Sequence, residues 1–223
     1  MREINTPIRK IGKGSSSLHG LVYSKKNQTH RAFESTLERD FIETLEFDFN
    51  VDYYCEQPME IQYWINDELH TYIPDVFVSF RTDLPQCKSM KSMICEVKYR
   101  STLKERWSEF KPKFKAAKQY AENNGWIFRI LTEHEIRTPY LDNVKFLLNY
   151  RDSEFVNANG CAVVLDVLTQ LQNTCPEELI LCSARDKKMQ AESLYSLWHL
   201  VAIGMIGCDL TSPLNMRSEL WVV

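Results

Sequence analysis

The chain has 223 residues, of which 44% are hydrophobic and 26% are charged, and both fractions are typical of a globular protein. This composition excludes a fully disordered chain, a collagen-like repeat and a coiled-coil rod. No apolar run approaches the roughly 18 residues of a membrane span, and the first residues lack the apolar core of a secretory signal, so we expect a soluble, cytoplasmic protein. Seven cysteines without a CxxC pair favour free thiols over disulfides or a zinc site.

The net charge of −3 conceals an uneven distribution of charge along the chain. Residues 1–30 carry a net charge of +5, residues 33–83 a net charge of −11 and residues 98–118 a net charge of +6. Two basic segments around an acidic one fit a phosphate-binding surface beside a metal-binding pocket. Charge runs are also common on ordinary solvated surfaces, and by itself this pattern favours that reading.

The first part of the chain shows neither a helical nor a strand period. Residues 1–30 combine six Lys/Arg with Gly12, Gly14 and the run Ser15-Ser16-Ser17. Such segments bury too little apolar surface to become ordered on their own. We therefore predict a basic N-terminal arm over residues 1–30 that a partner orders.

From Ala32 a helical pattern begins. Apolar residues recur every three to four positions, which predicts an amphipathic helix of about 17 residues. These residues are Phe33, Leu37, Phe41, Ile42, Leu45 and Phe49.

Strand patterns follow the helix. Residues 59–65 alternate between apolar and other side chains, and Asn66-Asp67-Glu68 predicts a tight turn into a second strand over residues 69–73. After Pro74-Asp75 an apolar run covers residues 76–80, and residues 92–98 predict a strand whose centre is buried on both faces.

A long helix and a further strand complete this region. Residues 103–124 keep the helical period, and Pro112 predicts a kink near Phe110. Residues 126–131 predict a short central strand that is parallel to the preceding strand, because a helical crossover joins the two. The predicted fold class is therefore α/β, with a mixed sheet flanked by helices.

A second unit is predicted over residues 157–223. Helical patterns cover residues 163–171, 176–182 and 190–203, and short strand-like pieces follow around Ser212-Pro213. Three helices followed by a hairpin are typical of a winged helix-turn-helix domain. The alternative is a small helical subdomain that packs on the first unit or on a partner.

The residues most suited to chemistry are Asp75, Glu96 and Lys98. Asp75 begins a strand, and Glu96 and Lys98 point to the same face of another strand because side chains alternate. Carboxylates from neighbouring strands, with the backbone carbonyl of Val97, suit Mg²⁺ or Mn²⁺. A lysine beside them can act on a water or stabilise charge on a phosphate, which predicts metal-assisted phosphodiester hydrolysis.

Glu38 is the candidate for a further metal ligand. It lies at the edge of the apolar stripe of the first helix, one residue after Leu37. Glu34 lies one turn earlier and competes for the role. Both are otherwise ordinary acids of a helix surface, and spacing alone favours that simpler reading.

Taken together, Glu38, Pro74-Asp75 and Glu96-Val97-Lys98, in this order of elements, resemble the PD-(D/E)xK nuclease superfamily. The segments 35–38, 45–48, 54–58 and 61–63 are similar to the N-terminal domain of TnsA endonucleases, over roughly residues 20–132. The short region after residue 157 resembles the C-terminal domain of compact TnsA proteins, including those of RNA-guided transposons. TnsA proteins can carry Gln at the position of Glu96, and Glu should bind metal at least as well.

The resemblance implies a restriction-endonuclease-like domain over residues 31–150 and a partner-binding C-terminal domain. Glu38, Asp75, Glu96 and Lys98 would be catalytic, with Mg²⁺ (or Mn²⁺) as cofactor. The protein would cut the 5′, non-transferred strands at transposon ends in a bacterial cytoplasm. A TnsB-like DDE transposase would cut and join the 3′ ends, and a TnsC-like AAA+ ATPase would regulate the complex. The alternatives are a stand-alone restriction or repair nuclease of the same superfamily and a non-catalytic DNA- or protein-binding adaptor.

Cations near the predicted site are candidates for contacts with double-stranded DNA. Arg100 is the best candidate, and Lys104 and Lys111 follow on the next helix. We expect Arg31 to face solvent. We also expect the aromatic residues 107, 110 and 114 to lie in the core rather than to stack on bases.

Overall fold

The computed structural model describes residues 4, 6–8, 20–152, 154 and 156–223. The chain divides into two compact units, the first ending at Ile136 and the second beginning at Arg137. The sequence pattern places this boundary between residues 150 and 157. The difference arises from a helix at Pro139–Leu148 that no pattern predicts and that packs within the second unit.

An antiparallel hairpin opens the first unit. Strands β1 (Gly20–Ser24) and β2 (Thr29–Phe33) pair directly, so the prediction of an extended arm is wrong for residues 20–30. The strand pattern is hidden because two inward positions, Ser24 and Arg31, are polar and yet buried. The rest of the arm, at residues 1–3, 5 and 9–19, lies outside the described residues.

Helix α1 (Thr36–Phe47) is shorter than predicted. Phe33 belongs to β2, and Ser35 caps the helix with extended backbone and a side chain that accepts the N–H of Glu38. Capping groups of this kind begin a helix at a defined residue. The prediction of a helix from residue 33 is therefore wrong at its start.

The central sheet has four strands, which lie in the order β3 (Val51–Glu56), β6 (Val76–Phe80), β7 (Met93–Val97) and β8 (Ile127–Leu131). β7 and β8 are parallel, as predicted from the helical crossover, and the other neighbouring pairs are antiparallel. β3 was not predicted, and β8 lies at the edge of this sheet rather than at its centre.

A second hairpin covers one face of the sheet region. Strands β4 (Ile61–Ile65) and β5 (Glu68–Tyr72) pair in the predicted alternation, and left-handed Asn66 and Asp67 form the turn. Its inner face joins the buried cluster around Phe77. This hairpin is confirmed.

The predicted long helix is interrupted at Arg106, before the kink that Pro112 predicts near Phe110. Helix α2 (Arg100–Glu105) ends at Arg106, and helix α3 (Trp107–Asn123) continues through Pro112. Because α3 starts so close to Pro112, the proline removes only one intrahelical donor near its beginning. Phe110 and Phe114 are buried as expected, but Trp107 is 47% exposed, so its placement in the core is wrong. The unit ends with helix α4 (Glu133–Ile136).

After its first helix, which was not predicted, the second unit follows the predicted order of three helices and a strand pair. Antiparallel β9 and β10 follow the last helix, whereas the winged-helix assignment remains a prediction. The elements are α5 (Pro139–Leu148), α6 (Ala158–Leu171), α7 (Pro176–Ser183), α8 (Lys187–Ala202), β9 (Ile206–Cys208) and β10 (Leu220–Val222).

All seven cysteines are free thiols. Over the part of the chain that the structure describes, no helix is both long enough and apolar enough to cross a membrane.

Candidate active site

The site is built where β6 begins and β7 ends. Val76 pairs with Cys95 in the antiparallel register, so Asp75 comes opposite Glu96. The backbone N–H of Val97 donates to Asp75 Oδ2 at 2.7 Å. Both predicted carboxylates therefore lie at the same edge of the sheet.

The backbone on the other side of Asp75 is also held. The N–H of Gln57 donates to the Asp75 carbonyl at 2.9 Å. Gln57 adopts a left-handed backbone with φ of 43°, which costs a non-glycine residue about 1 kcal/mol. The position of Asp75 is thus fixed from both neighbouring strands.

Lys98 lies between the two carboxylates. Its Nζ is 3.1 Å from Asp75 Oδ2 and 3.5 Å from Glu96 Oε1. Its backbone N–H donates to the Leu131 carbonyl at 3.1 Å, which extends the β7–β8 pairing as far as the lysine. The Glu-X-Lys spacing thus brings both charged groups to one face, as the strand alternation predicts.

Glu96 is only 1% exposed, and its carboxylate contacts two side chains that the sequence patterns do not predict. The hydroxyl of Tyr72, at the end of β5, donates to Glu96 Oε2. Lys113 Nζ, from α3, is 3.4 Å from Glu96 Oε1. One signal was available for Lys113: it falls beside Phe110 and Phe114 on the apolar side of the helix. Nothing in the strand alternation distinguishes Tyr72 from a core residue.

Glu38 serves as a helix cap in this structure. Its Oε1 accepts the Ser35 hydroxyl at 3.0 Å, and its Oε2 accepts the Glu34 N–H at 2.8 Å. Glu34 precedes α1, so the prediction that Glu34 and Glu38 share one face of the helix is wrong. The charges of Asp75 and Lys98 both act on Glu38, which places it beside the site.

Burial and repulsion from Asp75 make Glu38 and Glu96 hard to ionise. Burial, and then the charge of Asp75, raise the pKa of Glu38 to about 7. The same two causes raise the pKa of Glu96, against the opposing effects of Lys98 and Lys113. A further cation at the site would therefore favour the ionised forms of Glu38 and Glu96.

The lysine is held in its charged form. Burial alone would lower the pKa of Lys98, but Asp75 and Glu96 outweigh it, and the pKa is raised well above its ordinary value. In this arrangement Lys98 is an ammonium donor rather than a base.

The donor set fits a hard divalent cation, because it consists of carboxylate oxygens and the charge of Asp75 raises the pKa of both Glu38 and Glu96. Among the described residues, no three His, Cys, Asp or Glu side chains already stand together as a metal cage. Asp75 and Glu96 would hold the ion, with Glu38 as a third donor released from its cap. The Val97 carbonyl remains a predicted ligand.

The residues predicted to contact DNA are exposed cations on the two helices that follow β7. Arg100, Lys104 and Lys111 are all exposed, on α2 and the start of α3. Arg31, by contrast, is buried, and its guanidinium is 3.2 Å from Glu56. The expectation that Arg31 faces solvent is wrong, because a buried carboxylate compensates its charge.

Glu38 should make the stability of the metal-free protein depend on pH. The pKa of Glu38 in the folded protein, about 7, lies above the ordinary value of 4.5. Between these two pH values the folded state keeps a proton that the unfolded state has lost, so the free energy of unfolding falls as the pH rises. Because Gln does not titrate, we expect the free energy of unfolding of Glu38→Gln to rise by about 3 kcal/mol relative to that of wild type between pH 4.5 and 7.5. Urea unfolding with a chelator present measures this, with Glu105→Gln as an exposed control. Parallel pH profiles for wild type and Glu38→Gln would contradict the assignment.

The mixed sheet, with Asp75 and Glu-X-Lys at one edge, defines a restriction-endonuclease-like fold. Residues 48–133 match the family described as TnsA-like endonuclease N terminal, and residues 135–210 match TnsA endonuclease C terminal. These matches cover more than two thirds of the chain, and the chain belongs to the TnsA-like transposon endonucleases. No curated protein matches it.

Proposed function

We propose that this protein is the Mg²⁺-dependent endonuclease subunit of a heteromeric transposase and cuts the 5′, non-transferred strands at transposon ends. The observation that carries the proposal is the Asp75–Lys98–Glu96 cluster at the sheet edge. Membership of the TnsA-like family supports DNA as substrate and transposase proteins as partners.

In the proposed reaction a water oxygen bonds to phosphorus, an ester P–O bond breaks, and the leaving oxygen takes up a proton. A bound divalent cation would lower the pKa of the water and stabilise charge on the phosphate. Asp75, fixed by the Val97 N–H, presents its oxygens at the sheet edge. The Lys98 ammonium donates hydrogen bonds to the phosphate oxygens on which negative charge develops. The exposed Arg100, Lys104 and Lys111 hold the DNA backbone.

The proposed partners follow from the family. A TnsB-like DDE transposase would cut the 3′ ends and place this subunit on the transposon ends. A TnsC-like AAA+ ATPase would contact the second unit. The small net charge of −3 favours weak binding to DNA alone and dependence on these partners.

The test is a strand-resolved excision assay with a TnsB-like DDE transposase, the proposed partner, and DNA that carries the transposon ends. We expect 5′-strand cuts only when this protein, the transposase and Mg²⁺ are all present. The transposase alone should cut only 3′ strands. Efficient cutting by this protein alone would identify a stand-alone nuclease. No 5′ cutting, together with no bound Mn²⁺, would identify a non-catalytic adaptor.

A further inference from the structure

Lys113 is a second lysine of the candidate active site, contributed by α3. Its Nζ lies 3.4 Å from Glu96 Oε1, and its side chain is 20% exposed. The neighbouring Lys111 and Lys115 are exposed, as expected for cations that face a DNA backbone. The structure thus separates Lys113 from the other cations of its helix.

An aromatic cage fixes the Lys113 ammonium. Its Nζ is 4.8 Å from the ring centre of Tyr72, 4.7 Å from that of Phe110 and 5.4 Å from that of Phe114. Each distance is within the range of a cation–π interaction. Contacts with three rings leave the ammonium little freedom to follow a DNA strand.

Both lysines form an ion pair with Glu96, and Lys98 also forms one with Asp75. Tyr72 donates to the other oxygen of Glu96. Glu96 is therefore held at Oε2 by Tyr72 and at Oε1 by Lys113, even when Lys98 turns toward a phosphate.

We propose that Lys113 and Tyr72 are positioning residues that hold the Glu96 carboxylate in the orientation in which it binds the catalytic cation. The inference rests on the proposed function, because it assumes that Glu96 is a metal ligand. Groups that orient a metal ligand from outside typically contribute 10- to 100-fold to metal affinity. Such groups do not touch the substrate.

The sign of the effect separates positioning from simple electrostatics. Removing a positive charge next to a cation site would by itself tighten cation binding. A loss of affinity in folded Lys113→Met that persists as the pH is raised, where protons no longer compete for Glu96, therefore indicates a Glu96 carboxylate that is no longer held.

The experiment is a Mn²⁺ titration of the full-length, metal-free protein, followed by electron paramagnetic resonance of free Mn²⁺. We expect Lys113→Met to weaken binding at least tenfold and Lys115→Met, the exposed charge-matched control, to leave it unchanged. Tyr72→Phe removes only the hydroxyl, keeps the ring and should weaken binding several-fold. Circular dichroism reports whether each variant folds, and if Lys113→Met does not, Tyr72→Phe tests the inference in its place.

A double-mutant cycle tests whether Lys113 acts through Glu96. In the Glu96→Gln background, Lys113→Met should have almost no further effect on Mn²⁺ affinity. Unchanged or tighter binding by either folded single variant, or a full tenfold effect in the Glu96→Gln background, would overturn the inference while leaving the proposed function intact. A wild-type protein that binds no Mn²⁺ would refute both.

Discussion

Asp75→Asn is expected to reduce 5′-strand cutting by at least about 1000-fold in the strand-resolved excision assay, while 3′-strand cutting persists. Asn keeps the shape of the side chain but lacks the charge that would bind the cation in the proposed site. Metal catalysis supplies several kcal/mol of transition-state stabilisation, and each 1.36 kcal/mol is a factor of ten in rate. Lys98→Ala should cause a loss of about 100-fold or more, because it removes the donor for the phosphate charge.

Asp83→Asn is the matched control for this result. Asp83 lies in the loop after β6, pairs with Arg81 at the surface and is exposed. Its replacement should leave both strands cut at wild-type rates. If 5′-strand cutting survives both Asp75→Asn and Lys98→Ala in folded protein, the site lies elsewhere in the chain.

The largest loss of stability is expected from Arg31→Met. Arg31 on β2 is 3% exposed and lies 3.2 Å from Glu56, which is itself 6% exposed. Glu56 also accepts the Ala32 N–H at 3.2 Å, so this pair joins the hairpin to β3. Removing one partner of a buried ion pair leaves an uncompensated charge and typically costs about 3 to 5 kcal/mol. Urea unfolding at pH 7.5 measures the loss.

Two controls isolate the buried charge. Arg106→Met removes a cation from an exposed pair with Glu109 and should change stability little. The double variant Arg31→Met/Glu56→Met replaces both charges by apolar groups and should recover most of the loss. If the double variant is as unstable as Arg31→Met alone, packing rather than charge explains the effect.

Local patterns predict the elements whose inward positions are apolar. The β4–β5 hairpin, the buried strand β7 and the parallel pairing of β8 follow from alternation and from the helical crossover. β1 and β2 escape prediction because Ser24 and Arg31 point inward. Ser24 donates to Glu46 at 2.7 Å across 22 residues of sequence, so its partner is invisible to any local pattern.

The residues of the candidate site also divide into those that local patterns predict and those that they do not. Asp75, Glu96 and Lys98 could be predicted because two strands with known alternation bring them to one edge. Tyr72 and Lys113 could not, because their contacts with Glu96 depend on how β5 and α3 pack on the sheet.

The sequence by itself determined that a strongly acidic segment, residues 33–83, is followed by a basic one, residues 98–118. It also determined the order Asp75, Glu96, Lys98, on which the proposed class of chemistry rests. Only the tertiary structure decided which cations enter the site, that Arg31 is buried, and that the pKa of Glu38 rises to about 7. The physical reason is that pairing and desolvation depend on distances in space, which the spacing of residues along the chain does not specify.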